Sequence, residues 1–186
     1  MARIPLPTPE TMSPAQRAVH DRVVAGPRGA LRGPLRAALL NPELAERWQA
    51  LGELLRYNTS LSPRHSELAI LVTGRHCRAP FEWHVHRIEA EKAGLEPAVI
   101  ESILAGTCPH FSEPKDEVVF DFARELNVHD AVSTPVYQRL LDHLGALAAV
   151  ELTALVGYYT MVAMTLNAHQ IPLPEGAVAA FEPGLA

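Results

Sequence analysis

A capping residue followed by proline opens one apolar stretch after another in this chain, and that punctuation favours helices. Ser13–Pro14, Asn41–Pro42 and Ser62–Pro63 each set an oxygen that can accept the first free backbone N–H groups ahead of a residue whose φ is already helical. Gly26–Pro27 and Gly94 supply stops. Alternating β-branched runs bounded by turn residues, the signature of sheet, are missing, so the expected fold class is all-α.

Helices are expected from Ser13 to Gly26, briefly after Gly33, and from Asn41 to about Asn58, where Leu44, Trp48, Leu51 and Leu55 form one apolar face. Two more, Ser62 to about Cys77 and Pro80 to Gly94, form a helical hairpin. Beyond lie Pro97 to Ala105, Glu113 to Leu126, Pro135 to Leu144 and Leu147 to about Asn167, then an extended surface tail after Pro172. The chain reads as a single domain over 1–186: N-terminal helices within 1–60, the hairpin 62–94, C-terminal helices 97–170 and the tail 171–186.

With 48% hydrophobic residues, the 186-residue chain can bury a real core. Its net charge of -5 and scattered basic residues make nucleic acid an unexpected partner. Leu147 to Leu166 is long and apolar enough to span a bilayer, but Glu151 lies within it and neither Lys nor Arg flanks it. It is read instead as the central helix of a globular bundle, with no membrane role. The N-terminus lacks a signal-like apolar run, and Cys77 and Cys108 form no disulfide framework, so a cytoplasmic protein with free thiols is expected.

The hairpin carries the chemistry. On a wheel of PFEWHVHRIEAEKA, His84, Arg87 and Glu91 face solvent, while Phe81, Val85 and Ile88 lie to one side and Trp83 and Ala90 to the other. The arc between these apolar groups holds Glu82, His86 and Glu89. A carboxylate buried beside an imidazole suits general acid and base work, whereas an i,i+4 surface pair would be a minor stabiliser. In the preceding helix Glu67 shares a sector with Leu71 and Gly74, and that glycine would let the neighbouring helix approach. The competing reading pairs Glu67 with Arg64 or Arg78. His20, His65, His110, His129 and His143 have no partner pattern and are expected at the surface.

At these residues the sequence resembles the carboxymuconolactone decarboxylase and alkylhydroperoxidase D-like family. Redox members of that family carry a glutamate, a Cys-x-x-Cys pair and a histidine. The spacing places Glu67 on the glutamate, Ala79 and Glu82 on the two cysteines, and His86 on the histidine. FEWHVHRIEAEKAGL and VGYYTMVAMTLNA are similar to a branch without the cysteines. The resemblance implies an alkylhydroperoxidase D-like helical bundle and a homo-oligomer. Alanine and carboxylate cannot attack peroxide oxygen or close a disulfide, which argues against two-thiol chemistry.

The expected function is acid and base chemistry, decarboxylation or a related lyase or isomerase reaction, on a small cyclic carboxylate or lactone. His86, Glu82 and Glu67 are the candidate catalytic residues, and Trp83, Tyr158 and Tyr159 the candidate substrate-binding ones. This reading requires no cofactor and no metal. The alternatives are redox chemistry at Cys77 with an external thiol, a metal site built from Glu67, Glu82 and His86, and a non-enzymatic binding or assembly module.

Overall fold

The computed structural model describes residues 2–184, and among these every regular element is a helix. In chain order they are α1 (Pro14–Ala25), α2 (Pro34–Ala38), α3 (Pro42–Tyr57), α4 (Pro63–His76), α5 (Pro80–Lys92), α6 (Pro97–Ala105), α7 (Pro114–His129) and α8 (Thr134–Ala168). Proline occupies the first turn of each, as the punctuation predicted. The Ser13, Asn41 and Ser62 side chains accept backbone N–H bonds at the heads of α1, α3 and α4. At Gly145 (φ 82°) α8 is broken, which separates the two helices expected on either side of it.

The central helix is α4. All residues from Ser66 to Gly74 are buried, and α5, α6, α7 and α8 pack around it. Leu147 to Leu166 was expected in that role. Only half of the apolar window in α8 is buried, and one face remains open, with Val150 68% and Met164 64% exposed. Nonetheless α8 is a main wall of the core, contributing Leu152, Leu155, Tyr159 and Leu166 to one hydrophobic cluster that runs from Val19 to Ile171.

Helix α3 is rotated from its expected face. Leu44 and Leu51 are exposed, and the buried side is Ala45, Trp48, Gln49, Gly52 and Leu55. The reason is contact with α8: a Cβ at Gly52 would overlap the Tyr158 hydroxyl and the Arg28 guanidinium. Helix α4 ends in a Schellman-type turn in which the Ala79 N–H donates to Gly74 O (2.9 Å) and Arg78 takes the left-handed conformation, φ 49°. That turn reverses the chain into α5. Gly74 lets α5 lie close, because a Cβ there would come within 3.3 Å of Glu82 Cγ.

The expected surface tail is partly docked. Phe181 packs edge-on to Trp83 at 5.9 Å, and Arg78 Nη2 donates to Glu182 O (3.2 Å). His65 is also drawn in, lying 3.4 Å from the buried carboxylate of Asp116. The same carboxylate accepts a hydrogen bond from Arg64 Nε (2.8 Å), and Arg64 reaches Glu96 as well. These contacts tie the start of α7 to the start of α4.

Candidate functional site

The close approach of α4 and α5 brings together Glu67, Glu82 and His86, which are 8%, 3% and 4% exposed. His86 Nδ1 is hydrogen-bonded to Glu67 Oε2 at 2.6 Å. On the other side of the ring, Nε2 lies 3.1 Å from Glu82 Oε1, close enough for a charge pair but poorly aligned, so that Oε1 has no directed hydrogen bond. The Tyr159 ring packs edge-on to the imidazole at 4.9 Å and 83°.

Burial alone would push the His86 pKa down. The Glu67 and Glu82 carboxylates outweigh it and raise the pKa from 6.5 to about 9, so the ring is an imidazolium at neutral pH. The phenol of Tyr159 is held well above its ordinary value by burial, which makes it a neutral donor. A further cation, Arg56, also feels the two carboxylates. Burial opposes the Arg56 charge, but Tyr159, Tyr57, Glu67 and Glu82 together outweigh that and raise its pKa.

Of the expected substrate-binding residues, only Tyr159 touches the His86 ring. Tyr158 stacks on Tyr159 at 5.3 Å, while its hydroxyl lies 3.5 Å from Arg28 Nη2. Trp83 is 1% exposed and turned toward Phe181, in the core. Glu89 does not point inward: it bonds Lys92 Nζ at 2.8 Å on the surface. Ile88 is 42% exposed and His84 is half-buried, because α5 meets the bundle mainly through Glu82, Trp83, His86 and Ala90. The pairing of Glu67 with Arg64 or Arg78 does not form, since those arginines are engaged elsewhere.

Arg56 and Arg28 were missed by the sequence reading. The available signal was the i,i+4,i+8 run Trp48, Gly52 and Arg56, whose glycine marks the close approach to α8. Because Glu67 and Glu82 engage opposite nitrogens of one imidazole, the three do not converge on a point where one ion could be bound through His86. No group of three metal-ligating side chains converges among the described residues.

Residues 42–125 match the model of the carboxymuconolactone decarboxylase family, a span that contains Glu67, Glu82 and His86. Over that span the chain is similar to the family. Its fold is shared by solved structures at low identity. An uncharacterised peroxidase-related protein from Ralstonia eutropha JMP134, described as an alkylhydroperoxidase core, superposes with TM-score 0.77 at 14% identity, over 94% of this chain and 93% of that one. An uncharacterised peroxidase-related protein from Silicibacter sp. TM1040 gives 0.76 at 14% identity, covering 94% and 92%. A protein of unknown function from Agrobacterium tumefaciens gives 0.67 at 15% identity, covering 77% and 99%. No curated protein matches the chain.

Ala79 and Glu82, the positions that the resemblance sets against the two cysteines, are both buried. Cys77 is the nearest sulfur in sequence. It lines a concavity of about 550 Å³ together with His76, Asn127 and Thr160. Burial raises its thiol pKa, the Thr160 hydroxyl opposes this, and the Glu82 carboxylate raises it further. Asn167 Nδ2 donates to Cys77 O (2.8 Å), fixing this corner to α8.

Proposed function

We propose that this chain, similar to the carboxymuconolactone decarboxylase family over residues 42–125, is a cofactor-independent acid and base catalyst. It would act on a small cyclic carboxylate or lactone by decarboxylation or a related lyase or isomerase step. The supporting observation is the imidazolium of His86, buried between two carboxylates with one ring nitrogen held firmly and the other loosely. Glu67 fixes the ring through Nδ1. Nε2 supplies the mobile proton, and Glu82 Oε1, which lacks a directed hydrogen bond, receives it and hands it on.

In decarboxylation the bond from ring carbon to carboxylate breaks, CO2 leaves, and the electron pair stays on an enolate-like carbon. The His86 proton, passed on by Glu82, then quenches that carbon, and solvent reprotonates the imidazole. Tyr159 would donate to the developing oxyanion, and the Arg56 charge would offset that of the carboxylates. Trp83 supports the site from the core in this scheme.

The test is incubation in deuterated water with a panel of small cyclic β-keto and β,γ-unsaturated carboxylates, following CO2 release and deuterium uptake. His86→Asn should lose at least about a hundredfold in rate, the lower end for a lost acid or base. Cys77→Ser should keep its rate. Peroxide consumption with an external thiol, abolished by Cys77→Ser and indifferent to His86→Asn, would falsify the proposal and establish the redox alternative. The exposure of Cys77 to its concavity is what keeps that alternative worth testing.

Self-association belongs to the same proposal. The open face of α8 carries Leu147, Val150, Ala154, Gly157, Met161 and Met164 at alternating spacings of three and four, the pattern of a helix seam made with a second copy of the chain.

A further inference from the structure

A second concavity, about 430 Å³, lies between the C-terminal ends of α4 and α6 and the body of α7. Its lining includes Arg75, Arg78 and Arg124 and no acidic residue, in a chain whose net charge is -5. Val72, Ile103 and Phe120 form an apolar floor. Glu67, Glu82 and His86 do not line it, so it is separate from the acid and base site.

Two of the arginines are anchored without neutralisation. Arg75 Nε donates to Leu104 O (2.7 Å), and Arg75 stacks over the Phe181 ring at 5.2 Å. Arg78 is held by the carbonyl of Glu182 (3.2 Å), and neither makes an ion pair among the described residues. Arg124 reaches Asp121 only at 3.6 Å and leaves its side chain 55% exposed. Arg75 lies in the last turn of α4, where a positive charge suits the helix dipole. Arg78 follows that helix and Arg124 lies within α7.

Arg78 takes a left-handed backbone, as Asp130 and Gln170 do just past α7 and α8. It occupies the left-handed position that ends α4, where glycine is the cheap choice and an arginine costs of order 1 kcal/mol in backbone strain.

We propose that this concavity binds a small organic anion: a carboxylate or phosphate ester on an apolar or aromatic body, gripped by Arg75, Arg78 and Arg124. Guanidinium forks suit both anions, and the apolar floor receives the rest of the ligand.

Calorimetric titration of the full chain with phenyl phosphate and with benzoate tests this, using benzamide as the neutral control of similar shape. A saturable site, one per chain, is expected for at least one anion, and the stronger of the two identifies the head group. Arg78→Gly and Arg124→Gln should each weaken binding about tenfold, the loss expected for one charge-assisted hydrogen bond. Arg78→Gly should at the same time hold or raise the melting temperature, because it relieves the left-handed residue, so that lost binding is not lost folding. His86→Asn should bind the probes normally, which separates this site from the acid and base site. Failure of both anions to bind at millimolar concentration, equal binding of benzamide, or wild-type affinity in both arginine variants would overturn the proposal.

Discussion

At the level of single residues, His86 decides how the site responds to pH. Its folded pKa, about 9, lies above the unfolded value of 6.5. The stabilisation is therefore complete below about pH 6.5 and is lost as pH rises through about 9. The shift corresponds to a few kcal/mol, roughly 3. Urea unfolding of the wild type should lose stability between pH 7 and 10, and His86→Asn should flatten that slope; equal slopes would mean that the carboxylates do not hold the proton. Gly74 gives a second residue-scale test. Alanine in a helix interior normally gains about 1 kcal/mol over glycine. Here the new Cβ would press on Glu82 Cγ at 3.3 Å, so Gly74→Ala should forgo that gain and lower the rate. Melting and turnover measured together would check it.

Among the elements, α4 matters most, since it is buried on nearly every side and carries both Glu67 and the glycine that admits α5. Its head is tied to α7 through Asp116, 1% exposed and bonded to Arg64. Asp116→Ala leaves Arg64 and His65 without their buried partner and should cost about 3 kcal/mol in denaturant unfolding, the scale for a broken buried ion pair. A change under about 0.5 kcal/mol would show the network to be solvated. The helices and their starts were legible because proline and capping residues act locally, within one turn. The face of α3 was not, because Leu44 and Leu51 are as apolar as the residues that are buried. Contact of Gly52 with Arg28 and with Tyr158 rotates the helix, and Tyr158 lies more than a hundred residues away in sequence. Glu89 failed for a similar reason: a wheel gives angles but not the direction from which neighbours arrive.

In the whole molecule, α8 presents an unpartnered apolar face that includes Leu147, Val150, Met161 and Met164. From Leu147 to Met164 it presents a seam of roughly 25 Å at 1.5 Å per residue. Charge placed there should dissociate an assembly without unfolding the bundle, because Val150 and Met164 are already exposed. Light scattering should find the wild type larger than one chain and Val150→Glu with Met164→Glu monomeric and still helical. A monomeric wild type at micromolar concentration would remove self-association from the proposal.

The sequence by itself determined the all-helical class, the hairpin, and the candidate trio with its missing thiols. Each of these rests on local geometry or on spacing within two adjacent helices. Only the tertiary structure decided that Glu67 takes Nδ1 and Glu82 faces Nε2, that Tyr159 and not Trp83 meets the imidazole, and that Arg56 stands nearby. It also placed α4, not α8, at the centre. Those outcomes depend on which surfaces meet across the bundle, where packing and charge are settled between residues far apart in the chain.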